Sequence, residues 1–338
     1  MKVAIYYKNN DIRLEDRPIP SLKKGEILVK MMASGICGTD VMEWYRIRKG
    51  PRILGHEMAG EIVGVAEGLK EFKIGDRVFV SHHVPCYSCH FCLSGRNSAC
   101  EELHSGNYDP GGFAEFIRIP EQNVRHGTFL LPQGITYDEA TMIEPLGCAI
   151  AGQKRLGLRE GQSILIIGSG VSGLTHIQLA KLVGAKVIVT DINKYRLSKA
   201  LEFGADHVIN AVQYSVDELK RVNDGQLAEV VIVCTGAERA INDALSSVDR
   251  RGTILFFTVP SKNIVLPSVN FWRDEITVTF SYGAAPEDIR DALELITSGK
   301  ANVKKMITHR MTLSGIQEGF KLVSEAADSL KVIVVPDN

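Results

Sequence analysis

The sequence predicts an α/β protein of two domains, one β-rich and one built on a doubly wound parallel sheet. Three observations carry this. The chain has 338 residues, and single hydrophobic cores stop growing at roughly 250–300 residues, so one domain is too few. Its texture changes near Glu144, from short Val/Ile-rich runs punctuated by Gly, Pro and Asp to apolar runs that alternate with helical stretches. Gly168, Gly170 and Gly173 then fall in a G-x-G-x-x-G spacing between one such run and the helical stretch after it. A composition of 45% hydrophobic and 23% charged residues excludes disorder, collagen and coiled coil.

Before the change, residues 3–7, 27–32, 58–65 and 76–80 are strand-length runs separated by turn residues, the pattern of a β-sandwich or barrel. After it, the spacing predicts strand 163–167 then helix 174–183, strand 186–190 then helix 194–203, strand 230–234 then helix 237–248, and strand 253–257. Strands alternating with helices make right-handed βαβ units and hence a parallel sheet. Gly184 and Gly204 stand where a left-handed helix terminus is expected. Residues 263–280 read as the last strands of that sheet. Helical stretches 286–297 and 314–324 and a strand 332–335 complete the chain.

The glycine turn has a physical reading. Gly168 permits a tight turn, Gly170 admits a pyrophosphate against the backbone, and Gly173 lets helix pack on strand, with helix N-terminal N–H groups facing the phosphates. Asp191 stands at the end of the next strand, eighteen residues after Gly173. Its carboxylate suits an adenosine ribose diol and repels a 2′-phosphate, so NAD is expected over NADP. It also suits the N-cap of the helix that follows.

Seven cysteines is an odd count for a closed disulfide framework. Four of them form Cys86-x2-Cys89-x2-Cys92-x7-Cys100. Thiolates so spaced close a tetrahedron around zinc and leave no open position, which makes a structural site. The competing bacterial ferredoxin run has a shorter last gap and a proline after its fourth cysteine, whereas Glu101 follows Cys100 here. Such a cluster belongs in a reducing compartment. The N-terminus lacks the basic start, apolar middle and cleavage site of a signal peptide, and no apolar run is long enough to span a membrane. A formal net charge of −1 provides no broad basic surface for nucleic acid or membrane. The expectation is a cytoplasmic protein whose partners are small molecules and copies of itself.

Three further features stand apart: Cys37 in Gly35-Ile36-Cys37-Gly38-Thr39-Asp40, the pair His56-Glu57 after Gly55, and Glu144 before Pro145. Singly they read as a small buried hydrophobe, a solvated pair and a cap for a helix starting near Leu146. Together they offer one thiolate, one imidazole and two carboxylates, a mixed set that suits zinc with a replaceable ligand.

In this order and at these intervals, the Cys-Gly-Thr-Asp, Gly-His-Glu, four-cysteine, Glu-Pro-Leu and G-x-G-x-x-G elements resemble the zinc-dependent medium-chain alcohol dehydrogenases. The resemblance covers essentially the whole chain and is closest to the branch of sorbitol (polyol) and threonine dehydrogenases. It implies a GroES-like β-barrel catalytic domain split between 1–144 and 285–338, with a structural-zinc lobe at 84–102 and a Rossmann NAD-binding domain at 145–284. It implies two zinc ions per chain. Cys37, His56 and Glu57 would hold the catalytic ion, with Glu144 a direct ligand or one water removed; Cys86, Cys89, Cys92 and Cys100 would hold the structural one. Gly168, Gly170, Ser172, Gly173, Asp191 and Arg196 stand where relatives contact NAD. Subunits of such enzymes pair through the edge near 263–280, and the resemblance favours a homotetramer over a dimer.

The reaction so implied is hydride transfer from a secondary alcohol, first a polyol or vicinal diol, to NAD. An amino-alcohol dehydrogenase of the L-threonine 3-dehydrogenase type is the alternative, and a non-catalytic NAD-binding protein is the reading from another class. Thr39, two residues from Cys37, is placed to take the alcohol proton. Relatives continue that relay with a histidine three residues on, where this chain has Met42. Ser281, before Tyr282, stands where polyol dehydrogenases often carry arginine.

Overall fold

A computed structural model describes residues 1–337, which form two compact units: 1–147 with 284–337, and 148–283. The first unit carries a seven-stranded sheet. Its strands run in the order Ile307–Thr312, Lys331–Val335, Ile27–Ile36, Glu57–Val65, Arg77–Ser81 and Thr128–Leu130, with Phe116–Ile119 paired on Ile27–Ile36. A three-stranded sheet, Asp11–Asp16, Lys2–Lys8 and Arg52–Ile53, accompanies it. The central strand explains the arrangement. Over Ile27–Met31 alternate side chains are buried, so Ile27, Val29 and Met31 join Met58, Ile62 and Val78 in one core. From Ala33 to Ile36 every residue is buried, because Ile36 packs under Phe320, Val332 and Val334 as well. Two register shifts against Glu57–Val65 bend the strand between these regions.

The second unit is a six-stranded parallel sheet. Counted from Ser163–Ile167, its strands lie in the order 3-2-1-4-5-6: His207–Asn210, Lys186–Asp191, Ser163–Ile167, Ala228–Val233, Val248–Phe256 and Thr277–Phe280. That is the doubly wound dinucleotide-binding order, whose ligand crevice opens where the strand order reverses. The first strand is buried at all five positions, as a strand covered on both faces must be. Gly184 ends the helix Val171–Val183 in the left-handed conformation, φ 82°.

Several elements differ from expectation. Strand His207–Asn210 and helix Val216–Val222 lie in a stretch with no predicted element. Ile264, Val265 and Leu266 form no strand; between the first unit's return and Phe256 only Thr277–Phe280 pairs, and Ser268–Arg273 is helical. Pro260 and Pro267 bracket that apolar triplet and deny it ladder donors. The helix expected near Leu146 starts at Ile143, so Glu144 lies within its first turn and is not its cap. Among the described residues no helix is long and apolar enough to cross a membrane.

Candidate metal and cofactor sites

Two neighbouring strands bring the first cluster together. Ile27–Ile36 delivers Cys37 just past its end, and Glu57 opens the antiparallel strand beside it, opposite Gly35. A Cβ on Gly35 would lie 2.0 Å from Oε2 of Glu57, so only glycine leaves the carboxylate its place. Ligand atoms of Cys37, His56 and Glu57 lie within 4.8 Å of one another. Glu144, 8% exposed, is outside that group.

Asp40 organises the cluster from beneath. Wholly buried, it accepts the Cys37 N–H at 3.1 Å and Arg46 Nη2 at 3.2 Å, and lies 3.5 Å from His56 Nδ1. Burial opposes its ionisation, yet His56, Arg46 and the Cys37 amide hold its carboxyl below the usual range. Burial likewise opposes protonation of His56, and the Asp40 and Cys37 charges outweigh it, raising its pKa well above the usual value. A carboxylate on one imidazole nitrogen fixes the ring and leaves the other for a metal. Thr39 Oγ1 donates to Cys37 Sγ at 3.3 Å and accepts from Arg46 Nη2 at 2.9 Å.

Glu57 is divided between a partner and a vacancy in its bonding. Oε2 accepts from Lys331 Nζ at 2.5 Å, both side chains being 2% exposed or less, while buried Oε1 has no partner. Burial presses the Lys331 pKa down, but Glu57 and Cys37 hold it above the ordinary value. An orphaned buried carboxylate oxygen is costly, and a cation between Cys37, His56 and Glu57 satisfies it. Asp40 and Lys331 escaped the sequence reading. Their signals were an acid three residues after the cysteine and a single cation in the apolar run 330–335. A row of imidazoles also went unread: His56 to His82, 4.9 Å between ring centroids, and His82 to His83, 3.7 Å. Burial first, then neighbouring imidazoles and Arg46, keeps both His82 and His83 neutral, His83 falling to about 3. Tyr108 is buried nearby; burial, then Glu144, Glu57 and Asp40, raise its pKa.

The four-cysteine lobe has the dimensions of a closed site. All four sulfurs lie within 4.8 Å of one another, with Sγ–Sγ distances of 3.5 Å for Cys89–Cys92 and 3.9 Å for Cys86–Cys92. Four Zn–S bonds of about 2.3 Å require tetrahedral edges of about 3.8 Å. Backbone N–H groups of Cys86 and Cys89 already point at Cys100 and Cys86 sulfurs, each at 3.3 Å. Hydrogen bonds from Ser88, and then from the Cys89 amide, lower the Cys86 thiol to about 6, toward the thiolate a metal needs.

In the second unit each glycine of the turn has its own geometry. Gly168 has φ 94°, open to glycine and costly for other residues. A Cβ on Gly173 would lie 2.0 Å from the Gly168 carbonyl oxygen. Above Gly170 nothing comes nearer than the Arg196 guanidinium at 3.6 Å, so the backbone N-terminal to Val171–Val183 is open to a phosphate group. Ser172 sits half-buried in that helix's first turn. Asp191 Oδ2 accepts the Ser169 N–H and hydroxyl at 2.7 and 3.1 Å, and Oδ1 accepts Asn193 N–H at 2.9 Å. Asp191 therefore braces the glycine turn. The cap of the following helix is Asn193, whose Oδ1 accepts from Tyr195 and Arg196 amides.

Comparison with known proteins gives the family. Residues 172–298 match the zinc-binding dehydrogenase family and residues 23–128 the alcohol dehydrogenase GroES-like domain. The sorbitol dehydrogenase of Bacillus subtilis strain 168 is 33% identical over 100% of this chain and 98% of its own. A probable D-xylulose reductase A from Aspergillus clavatus is 30% identical, covering 96% of this chain and 94% of its own. An alcohol dehydrogenase from Escherichia coli CFT073, solved with NADH, superimposes with a TM-score of 0.89 at 26% identity, over 99% of each chain. A GroES-like fold carrying mixed and four-thiolate donor sets, joined to a Rossmann sheet, places the chain among the zinc-dependent medium-chain alcohol dehydrogenases, in their sorbitol dehydrogenase-like branch.

Proposed function

We propose that this chain oxidises a secondary hydroxyl of a polyol at the expense of NAD, with the catalytic zinc on Cys37, His56 and Glu57 and a structural zinc on Cys86, Cys89, Cys92 and Cys100. The observation that carries the reading is the three-donor cluster in which Glu57 Oε1 is buried without a partner. Three protein ligands leave a fourth position for a substrate oxygen. When bound, the metal supplies the Lewis acidity that makes an alcohol proton removable near neutral pH, and the nicotinamide takes the hydride.

The chain's own residues do the rest. Asp40 holds His56 in orientation and Lys331 holds Glu57. Thr39 accepts the alcohol proton at Oγ1 as its own hydroxyl proton leaves, so the hydroxyl stays neutral, and the Arg46 guanidinium bonded to Oγ1 holds it in place. Arg46 cannot accept a proton. Glu43, beside Met42, is turned away and accepts the Asn9 N–H at 2.8 Å, so the proton leaves Thr39 for water or the cofactor ribose. Glu144, outside the three-donor group, would act on the metal through a water. In the second unit the Gly168–Gly173 turn and the amide of Ser172 receive the pyrophosphate, Asp191 takes the ribose diol and Arg196 closes over Gly170. The names of the relatives, a sorbitol dehydrogenase and a xylulose reductase, favour a polyol over an amino alcohol of the threonine type. Free cysteines throughout fit a reducing cytoplasm, and the working form is a homo-oligomer, a tetramer before a dimer.

The test joins activity to metal content. Sorbitol, xylitol and L-threonine are offered with NAD and with NADP, and zinc is counted in the wild type and in Cys37→Ala. The expected result is polyol-dependent reduction of NAD with two zincs, and one zinc with at least a ~10³-fold loss of turnover in the variant. Preference for threonine overturns the substrate; wild-type turnover in the one-zinc variant overturns the site.

A further inference from the structure

Arg46, Arg48, Lys49 and Arg52 occupy seven residues that contain no acid. They lie on the connection 38–55, whose two ends are Cys37 and His56, so the chain itself keeps them near the metal donors. Arg46 is engaged with Asp40 and Thr39. Arg48, Lys49 and Arg52 have no ion-pair partner among the described residues. Elsewhere exposed cations of this chain do find carboxylates, as Arg13 finds Asp11, Arg17 finds Glu15 and Arg221 finds Glu218. Lys23 and Lys24 also lack an ion-pair partner among the described residues, so what sets this run apart is its place in the chain beside the metal donors and not its lack of partners.

The exposed cations Arg48 and Lys49 each lie over an aromatic ring. The Arg48 guanidinium lies 5.9 Å from the Trp44 ring centroid, and Lys49 Nζ and Arg46 Cζ lie 5.4 and 5.3 Å from that of Tyr45. Arg52 Nη2 donates to the Lys49 carbonyl at 2.7 Å, and Arg52 Nε is buried with no acceptor. Holding like charges together on a short helical segment costs energy unless something neutralises them. The run begins at the reaction site. Arg46 reaches Cys37 Sγ through the Thr39 hydroxyl in two hydrogen bonds. The charges of Arg46 and Lys49 bear on His83, whose ring lies tilted against His82, as His82 does against His56.

We propose that the polyol taken by this site carries an anionic group, a phosphate or a carboxylate, which Arg48 and Lys49 hold while Arg52 braces their segment. The proposal rests on the polyol dehydrogenase reading above and narrows its substrate class. A neutral polyol leaves these cations uncompensated. Phosphate or carboxylate oxygens accept charge-assisted hydrogen bonds from an arginine fork and meet lysine as a point charge.

The experiment uses the zinc-loaded enzyme with NAD and three probes: sorbitol, sorbitol 6-phosphate and galactonate. The expected result is a kcat/KM for at least one anionic probe about tenfold or more above sorbitol, carried by KM. That advantage shrinks as ionic strength rises from about 0.01 to 0.15 M. Lys49→Gln lowers the anionic-to-neutral ratio about fivefold, and adding Arg48→Gln lowers it further. Calorimetric titration of sorbitol 6-phosphate into wild type and double variant reads the same loss without turnover. The two anionic arms decide between phosphate and carboxylate. Sorbitol turned over as well as either anion, or a ratio unmoved in a double variant with wild-type melting temperature, overturns the proposal and leaves the polyol reading standing. Absence of turnover with all three probes overturns both.

Discussion

At the scale of single residues, the buried pair Lys331–Glu57 is the feature with the largest energetic stake. Removing one member of a buried ion pair strands the other charge and costs about 3–5 kcal/mol, whereas replacing both by groups of similar volume is often neutral. Lys331→Met is thus expected to destabilise the zinc-free protein by about that amount, and Glu57→Gln with Lys331→Met to destabilise it less than Lys331→Met alone. Urea unfolding of zinc-free and zinc-loaded forms checks this. Saturating zinc recovers part of the loss in the single variant, because a divalent cation beside Glu57 does electrostatic duty for the missing ammonium; equal losses in single and double variants would sink the account. The pair also marks where sequence stops informing. Cys37, His56 and Glu57 are legible because thiolate, imidazole and carboxylate are ligand types. Lys331 lies 274 residues from Glu57 in sequence, and a lysine beginning an apolar run carries no mark of the carboxylate it will meet. Asp40 was visible as a letter in Cys-Gly-Thr-Asp, but its three partnerships exist only once the turn folds.

At the scale of elements, the glycine turn separates a folding requirement from a binding requirement. Gly173 is hemmed in by backbone: a Cβ there would sit 2.0 Å from the Gly168 carbonyl oxygen, and no side-chain motion relieves it. Gly170 is open, its nearest neighbour being the movable Arg196 guanidinium. Gly173→Ala is expected to lower the melting temperature and NAD affinity together. Gly170→Ala is expected to keep the wild-type melting temperature of the NAD-free protein while weakening NAD by tenfold or more, because its methyl occupies the approach to the pyrophosphate. Thermal unfolding beside NAD titration distinguishes them; a Gly170→Ala protein that binds NAD normally removes the phosphate from this turn. The strand–turn–helix around these glycines was legible because period, glycine spacing and helix end coincide. His207–Asn210 was not, since four residues with two apolar side chains give no period to count. Ile307–Thr312 is likewise illegible: it is an edge strand whose Thr, His and Arg break any apolar run, none of its residues being fully buried. At 263–280 the prolines flanking Ile264-Val265-Leu266 keep that run out of the sheet, while Thr277–Phe280 joins it.

At the scale of the whole molecule, the second unit presents an open sheet edge. Its sheet ends at Thr277–Phe280, which pairs on one side only, with Val248–Phe256. In the segment leading to that strand Val265, Val269 and Trp272 are 86, 77 and 81% exposed, and Phe280 within the strand is exposed as well. Single exposed apolar residues are ordinary, but a group of them next to an open strand edge is the pattern of a surface that another chain covers. Of the run Ile264-Val265-Leu266, Ile264 packs on the unit's own core while Val265 and Leu266 are exposed. A second copy presenting the same edge satisfies both the unpaired backbone groups and the apolar side chains, and a two-fold contact of this kind is self-complementary. A stable pair needs roughly 800 Å² from each partner. Trp272 supplies the largest aromatic side chain in the exposed set, and such residues commonly dominate interface energy. The wild type is therefore expected to sediment as a multiple of the chain mass at micromolar concentration, with the multiple distinguishing tetramer from dimer. Val265→Asp with Trp272→Asp is expected to drive it to smaller species, while the four-cysteine lobe, far away in sequence at 86–100, still binds its zinc. A wild type that remains monomeric at about 100 µM, well above the dissociation constant expected of an interface of that size, removes self-association as the reason for this exposed edge.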